Sequence, residues 1–544
     1  VDRSAASDLL DEIATLLALK GENPFKVRAF ENASRALGSL ADFDERARKG
    51  DFSSVKGVGK AISEVLSEYS GNGRSSVLEE LRQEVPTGVR DLLRIPGLGP
   101  KKATVLWKDL GVTSLGELEY AIKENRLITL PGFGEKTQEK LGSGIRFLSA
   151  NSGRFRLDEA YEQALAVRSS LLGTAGKEAG VTTVEIAGDL RRGFDSVSEV
   201  VLVVACHSPA KLSLPADGTP PVRLVPCSPA DFVRTLFEET GPAEHVREIL
   251  NATGVQAPVS FESEEHLYQA AGMAFLPPEL RDDPPSIASA RSGVTPVLLT
   301  VGDVRGLFHV HSTYSDGKAT LAETFQRVVK LGFSYVGITD HSPAAAYAGG
   351  LTPERIQLQW AEIESLRSKF PTLTVFKGTE ADILSDGSID YGDDFLAGFD
   401  FVIASVHSAF RLPRAQQTER LVRAVRNPRV TMLGHPTGRI LLAREGIDAD
   451  WDAVYSAAAE SGCGAEINAS PYRLDLDWEM GRRIRSTGIF TSINPDAHEL
   501  AGLSEVPYGV RIARRAGFAP GNVLNAKDAA GASEKLRELR SRPG

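Results

Sequence analysis

Phe308-His309-Val310-His311-Ser312-Thr313-Tyr314-Ser315-Asp316-Gly317 is the stretch on which the reading of this chain turns. It closes a short apolar run, Leu307 to Val310, and the i, i+2 spacing of its histidines puts both imidazoles on one face of a strand, where they can share a metal ion. Six more runs of strand length follow: Tyr335 to Thr339, Leu373 to Lys377, Phe401 to Val406, Val430 to Leu433, Gly464 to Ile467 and Ile489 to Ile493. Helical stretches such as Leu321 to Leu331 and Pro353 to Phe370 separate most of them. Seven strand runs alternating with helices imply parallel strands, and about 240 residues suit a barrel of the TIM type with one strand fewer. Functional side chains then belong at the C-terminal ends of the strands.

The histidines collect at those ends. The second run ends in Asp340-His341, the third in Gly378-Thr379-Glu380, the fourth in Ser405-Val406-His407 and the fifth in Gly434-His435-Pro436. The seventh ends in Asn494-Pro495-Asp496-Ala497-His498, again with i, i+2 spacing. A lone buried histidine is usually a satisfied core residue. Here, of nine histidines, six lie beyond residue 300 and all six stand at strand ends. With Asp316, Glu380 and Asp496 they make nine nitrogen and oxygen ligands and no thiolate, a set suited to Mn²⁺ or Zn²⁺. Nine ligands exceed the needs of one ion. Two or three ions side by side imply phosphoester hydrolysis, one lowering the pKa of bound water and the others clamping phosphate oxygens, with in-line attack by the metal-held hydroxide.

At 544 residues the chain should hold three to four domains, and 42% hydrophobic with 25% charged residues excludes wholesale disorder. No stretch nears the roughly 18 consecutive apolar residues of a membrane span, and Val1-Asp2-Arg3-Ser4 lacks a basic-then-apolar signal, so no membrane partner and a cytoplasmic location are expected. Cys206, Cys227 and Cys463 have no CxxC spacing and read as reduced structural thiols. The net charge of −10 rules out generic attraction to nucleic acid. Residues 1–150, however, carry 22 Lys and Arg against 22 Asp and Glu, so the acidic excess lies wholly beyond them.

That first part reads as all-helical: Leu9, Leu10, Ile13, Leu16 and Leu17, then Phe25, Val27, Phe30 and Leu37, have amphipathic spacing. Three glycine turns interrupt it: Gly57-Val58-Gly59-Lys60, Pro96-Gly97-Leu98-Gly99-Pro100-Lys101-Lys102 and Pro131-Gly132-Phe133-Gly134-Glu135-Lys136. Such a turn lets backbone N–H groups approach a phosphate at a helix N-terminus, and the following lysine adds charge. One copy would read as a tight helix–helix turn; three copies followed by Lys60, Lys101 and Lys102, and Lys136 favour sequence-independent binding of a nucleic-acid backbone. The pattern resembles the helix-hairpin-helix motif. Between Val181 and Val204 β-branched runs mark an α/β unit, and proline-rich breaks follow at Leu214 to Pro221 and Pro277 to Pro296, the second expected to be an interdomain linker with a new domain from about Gly302.

His309-x-His311, Asp316, Asp340-His341, Glu380, His407, His435 and Asp496-x-His498 resemble the metal site of PHP (polymerase and histidinol phosphatase) domains over 303 to about 525, with all nine ligand positions filled. Leu307 departs from the family, many members of which have Asp there, but that position is outside the nine. The remainder resembles a bacterial family X DNA polymerase, through Glu22-Asn23-Pro24-Phe25-Lys26-Val27-Arg28-Ala29, the hairpins, Gly188-Asp189-Leu190-Arg191-Arg192-Gly193 and Phe275-Leu276-Pro277-Pro278-Glu279-Leu280-Arg281. The resemblance implies a helical DNA-end-binding domain (1–80), a fingers-like helix-hairpin-helix domain (81–150), an α/β nucleotidyltransferase-like palm (151–230), a thumb (231–285), a linker (286–302) and a distorted (β/α)7 TIM-like PHP barrel (303–544).

The same resemblance implies a damaged polymerase site. Asp189 stands where the family has a triphosphate-binding Ser, Glu199 at the first metal aspartate and Val201 at the second, and Pro221 aligns with the third. Glu can ligate Mg²⁺, but an isopropyl group cannot. Arg192 would persist as a phosphate contact, with Asp195 or Asp231 as alternative carboxylates under another register. Mg²⁺ or Mn²⁺ and a dNTP would bind there only in an active polymerase. Val65 replaces the lysine of a Schiff-base lyase. The leading expectation is therefore a monomeric DNA-repair enzyme that binds gapped, nicked or 3′-ended DNA and acts as a 3′→5′ exonuclease. In it His309, His311, Glu380 and Asp496 hold the first ion and the hydroxide. Asp316, His341, His435 and His498 hold a second, Glu380 bridges, and His407 assists a third. The alternatives are an active gap-filling polymerase, a small-molecule phosphatase and a non-catalytic DNA-end clamp. Tyr314, Tyr347, Phe410 and Tyr472 are candidates to stack an unpaired base, against the commoner role of core or rim packing.

Overall fold

Each glycine turn places an apolar residue between two exposed glycines: Val58, Leu98 and Phe133 are buried, while Gly57, Gly97 and Gly132 take φ of 94°, 86° and 81°, a conformation that disfavours any side chain. The buried residue pins the turn to the core and the next helix starts at once. Gly59 and Gly99 are the N-caps of Lys60–Asn72 and Pro100–Leu110, and Glu135–Asn151 follows Gly134. Six further helices complete this part: Arg3–Lys20, Pro24–Gly38, Phe43–Lys49, Ser76–Glu84, Thr87–Leu92 and Leu115–Lys123. They share one apolar core. The computed structural model describes the chain except residues 1, 39, 41, 124, 125, 131, 213–219, 255–259, 543 and 544, and the side chains of 120, 123, 129, 149 and 150. It divides into two units, Val1–Ser152 and Gly153–Gly544.

The second unit opens with β1 (Phe155–Arg156) and helix Leu157–Leu172, then β2 (Val181–Ala187), β3 (Ser196–Val197), β4 (Val200–Cys206) and β5 (Val222–Cys227). β1 pairs antiparallel with β3, while β4, buried at every position, lies between antiparallel β2 and parallel β5. Most of the proline-rich break Leu214 to Pro221 lies outside the described residues. Helices Phe232–Thr240, Ala243–Ala252 and Glu264–Ala270 follow and build a core around Phe237, Ile249 and Tyr268. The linker expected at 286–302 is not a free connection. Prolines start structure there: Pro278–Leu280 is a 3-10 turn, and helix Pro284–Arg291, capped by the Asp283 carboxylate on the Ser286 N–H, puts Ala290 into the same core with Leu280 and Leu298.

Seven parallel strands then follow in strict sequence order: β6 (Gly306–Leu307), β7 (Tyr335–Ile338), β8 (Thr374–Asp382), β9 (Phe401–Ser405), β10 (Met432–Leu433), β11 (Gly464–Asn468) and β12 (Thr491–Asn494). The first and last edges meet at Val310 and Ala497, where the His311 N–H donates to the Ala497 carbonyl (3.0 Å) and the Ala497 N–H to His309 (3.3 Å). Closure thus runs through the two His-x-His and Asp-x-His segments. One end of the barrel is plugged by Phe308, Tyr335, Phe376, Phe401 and Met432, packed on Leu524, Ala532 and Leu536. Gly337 and Gly378 are obligatory there, since a Cβ on either would stand about 2.5 Å from Phe401 (2.5 and 2.4 Å).

The two halves of this unit share one continuous apolar core, from Leu157 and Val204 to Val336 and Ile493. Charged contacts reinforce it. Buried Arg515 lies between the rings of Phe194 (3.6 Å) and Trp478 (4.1 Å), and bonds the Arg192 carbonyl (3.1 Å) and Asp282 (2.7 Å). Arg482 bonds the same Asp282 (2.7 Å), Arg485 reaches Asp283 (3.1 Å) and Arg439 reaches Asp195 (2.8 Å).

Candidate metal centre

Strand alternation would give β6 an inward residue only every second position, yet Phe308 packs on Phe401 inside the barrel (4.9 Å between ring centroids) and the next residue, His309, also faces inward to Glu380 and Glu466. His309 has φ of 58°, and this left-handed residue turns the chain so that plug and site are adjacent in sequence. His435 repeats the device at φ of 24°, after inward Gly434, whose Cβ would approach Ser405 Oγ to 2.3 Å. Asp496 is the third such residue (φ 51°). Three of the nine expected ligands therefore hold unfavourable backbone conformations, a cost concentrated at functional sites.

All nine expected residues come together at the C-terminal mouth. Four groups drawn from these nine have ligand atoms within 4.8 Å of one another: His311, Asp316, His341 and His498; His309, His435 and Asp496; His309, His311 and Glu380; and Glu380, His407 and His435; a fifth joins His341 and His407 to Asp382. Glu380 is central, with Oε1 at 2.9 Å from His435, 3.2 Å from His407 and 3.3 Å from His309, and Oε2 at 3.0 Å from His341. Asp496 Oδ1 lies 3.3 Å from both His309 and His311, and Asp316 lies 3.5 Å from His341 and 3.4 Å from His498. The grouping differs from the expected division at two residues: His311 also joins Asp316, His341 and His498, and His435 leaves them. His435 falls beside His309, Glu380 and His407, not beside Asp316, His341 and His498.

A cation fits this cluster. His309 Nε2, both nitrogens of His311, His341 Nδ1, His435 Nδ1 and Glu380 Oε2 are buried with no hydrogen-bond partner, a concentration of orphaned polar atoms that a folded protein does not tolerate without a ligand. Without a bound cation, imidazoles and carboxylates neutralise one another: burial alone would lower His309, His341, His407 and His498, but the surrounding carboxylates raise all four above the usual imidazole range. Burial alone would raise Glu380, but His407, His309 and His341 outweigh it and hold its carboxyl well below the usual range; Asp496 is held down in the same way by His309 and His311. His311, by burial and by the His498 and His341 imidazoles, is pushed down to about 3, leaving a neutral ring with free lone pairs.

Two carboxylates outside the nine orient the imidazoles. Glu466, buried in β11, accepts from His309 Nδ1 (2.6 Å), the His435 N–H (2.6 Å) and Asn494 Nδ2 (2.8 Å), which directs His309 Nε2 into the cluster. Asp382 does the same for His407 through Nδ1 (2.7 Å). A charged residue inside the sixth apolar run was the sequence signal for Glu466. Asp340, adjacent to His341, instead accepts from Ser312, Ser315 and Gln359 and shapes the loop after β6.

Among the described residues the expected polymerase residues form no group that could hold a metal ion. Val201 lies in an apolar cluster with Ala187, Val203 and Leu236. Glu199 pairs with Arg223 (3.1 Å), Asp189 is tied to Arg192, and Asp231 bonds Ser228 (2.7 Å). Among the described residues no metal-like group lies between 153 and 300. Arg192 has its guanidinium over Phe194 (5.0 Å) and its carbonyl on Arg515. Val65 is buried.

A barrel with this cluster, joined to helical hairpins, defines a DNA-binding protein carrying a PHP domain: the PHP domain family matches residues 308–469, a helix-hairpin-helix domain 2–75 and a SAM-like helix-hairpin-helix tandem 89–146. The chain belongs to the PolX family. It is 34% identical to the DNA polymerase/3′-5′ exonuclease PolX of Bacillus subtilis (strain 168), over 95% of this chain and 96% of that protein. Probable phosphatases of Thermoanaerobacter sp. (strain X514) and Caldicellulosiruptor saccharolyticus are 26% and 28% identical over 43% and 35% of this chain, covering 96% and 78% of their own lengths. No helix among the described residues is long and apolar enough to cross a membrane.

Proposed function

We propose that this chain is a metal-dependent 3′→5′ exonuclease acting in DNA repair, with nucleotidyl transfer weak or absent. The observation that carries the reading is the concentration of orphaned buried nitrogen and oxygen atoms around Glu380, against the lack of a comparable group near Val201 among the described residues. His309, His311, Asp316, His341, Glu380, His407, His435, Asp496 and His498 would hold two or three ions, Mn²⁺ or Zn²⁺ by the absence of thiolates. Bound there, such ions supply Lewis acidity toward a phosphodiester and a water acidic enough to attack it.

The chain's own contribution is arrangement. Glu466 and Asp382 set which imidazole nitrogen faces the cluster, the barrel wall keeps solvent from one side of it, and the mouth leaves the other open. Gly57, Gly59, Lys60, Gly97, Gly99, Lys101, Lys102, Gly132, Gly134 and Lys136 are the proposed contacts to the backbone of gapped, nicked or 3′-ended DNA. A Cβ on Gly59, Gly99 or Gly134 would meet nothing within 4 Å, so packing does not demand these glycines, whereas close approach of a phosphate does. A DNA substrate puts the protein in the cytoplasm, and we propose a monomer. The hairpins disfavour a small-molecule phosphatase, which needs no grip on DNA.

One gel tests the reading: a 5′-labelled primer–template with Mn²⁺, with and without dNTPs, for wild type, His309→Ala and Glu199→Ala. Shortening that requires His309 and not Glu199 supports it. Extension that requires Glu199 would instead establish a working polymerase.

A further inference from the structure

We propose that Tyr347 forms a base-binding subsite at the barrel mouth, on which the terminal nucleobase of an unpaired 3′ end stacks while its phosphodiester enters the metal cluster. The inference rests on the exonuclease reading above and adds to it the residue that holds the base.

Tyr347 sits in the 3-10 turn Ala346–Ala348, after β7, with 73% of its surface exposed. It is nonetheless at the site: its ring centroid is 6.3 Å from that of His341 and 6.4 Å from that of His407, at interplanar angles of 55° and 72°. Both imidazoles meet it obliquely, so neither covers it. The loop beneath is braced on all sides. Ser342 N–H donates to the Glu380 carbonyl (3.0 Å), Ala344 N–H to Asp390 (2.7 Å), Leu351 N–H to the His341 carbonyl (2.8 Å) and Arg355 to the Gly349 carbonyl (2.8 Å). Ala345 and Ala348 are buried on either side, and Gly350 passes so close to the Ser342 carbonyl that a Cβ would stand 1.9 Å from it. A large aromatic side chain displayed in water from so rigid a turn has no packing role; it is a binding platform prepared in advance.

The other mouth aromatics are engaged. Tyr314 donates to Glu362 (2.7 Å), Phe410 lies under Arg444 (4.4 Å), and Tyr472 lies under Arg156 (4.1 Å). Among the described residues nothing stacks on Tyr347. Every base has a π-face, so a single aromatic platform accepts all four and suits degradation without sequence preference. A base stacked there has left its complement, which favours frayed or mismatched ends.

The test uses the full-length, Mn²⁺-loaded protein and 5′-labelled single strands ending in either an ordinary or an abasic 3′ nucleotide. Removing an aromatic platform weakens base binding by about 1–3 kcal/mol. Tyr347→Ala should therefore raise KM on the ordinary end roughly 5- to 150-fold with kcat kept. On the abasic end it should change nothing, and Tyr347→Phe should match wild type on both. A 3′-terminal 5-iodouracil should photocross-link to the peptide bearing residue 347 in wild type and Tyr347→Phe, and not in Tyr347→Ala. Equal losses on both ends, loss in Tyr347→Phe, or no loss in Tyr347→Ala would each overturn the subsite. If wild type shortens neither strand, the exonuclease reading fails by itself, and the cross-link still decides whether the ring holds a base.

Discussion

At the residue scale the centre depends on groups that never touch a substrate. Glu466 accepts four hydrogen bonds and fixes His309 and His435 together. Replacing such an outer carboxylate typically costs 10- to 100-fold in metal affinity. Glu466→Gln should therefore retain the fold, monitored by circular dichroism, and weaken Mn²⁺ binding by about 10- to 100-fold in a metal titration; unchanged affinity would refute the orienting role. A carboxylate inside an apolar run marks Glu466 as unusual in the sequence, but not which group it meets: the histidine it faces is 157 positions away. The left-handed residues His309, His435 and Asp496 were hidden, since only closure of the barrel reveals that consecutive residues must both face inward.

At the element scale, the hairpins repeat one design: a buried Val58, Leu98 or Phe133 between exposed glycines, then a helix and a lysine. Lys60→Ala and Lys136→Ala should each weaken DNA binding uniformly across sequences and lower the slope of log K against log salt by about 1. An unchanged slope would remove that turn from the interface. These turns were legible because the signal is local: residues four apart define the whole element. The expected linker at 286–302, whose first residues belong to helix Pro284–Arg291, was less legible for the opposite reason. Prolines end or begin structure, and only the Phe237 core on which helix Pro284–Arg291 packs decides which.

The same helical group contains a titration switch in stability. His245, buried and bonded through Nε2 to the Tyr268 hydroxyl (2.7 Å), is held down to about 4 by burial and by Arg281. The folded state needs it neutral, whereas the unfolded chain protonates it near 6.5. Its contribution is thus complete above pH 6.5 and lost as pH falls toward 4, by roughly 3 kcal/mol at most. Denaturation midpoints of wild type and His245→Gln, compared across that window, should converge as pH falls; parallel curves would contradict the assignment.

At the scale of the second unit, the palm-like sheet and the barrel act as one body. Asp282 receives Arg482 and Arg515, the latter fully buried between Phe194 and Trp478. Removing one partner of a buried pair strands the other, at about 3–5 kcal/mol. Asp282→Ala should lower the melting temperature of this unit by several degrees while leaving its metal content intact, read by calorimetry and elemental analysis. Chelation should do the reverse experiment: with ions at 100 times Kd, their removal should cost about 2.7 kcal/mol of stability for each site. The same interlock fixes the backbone of Arg192, a phosphate contact by resemblance: its carbonyl and its ring neighbour Phe194 are both held by Arg515, while its guanidinium is tied to Asp189.

What the sequence determined by itself was whatever is written locally and repeated: seven strand runs in order, nine histidine and carboxylate side chains near their ends, three glycine turns with their lysines. Periodicity and short spacings carry that information because backbone geometry acts over a few residues. The tertiary structure alone decided the sharing of His435 with Glu380 and His407, the support from Glu466 and Asp382, the bond from Arg515 to the Arg192 carbonyl and the exposure of Tyr347. Each is a contact, or the absence of one, between segments far apart in the chain, and it exists only once the barrel has closed.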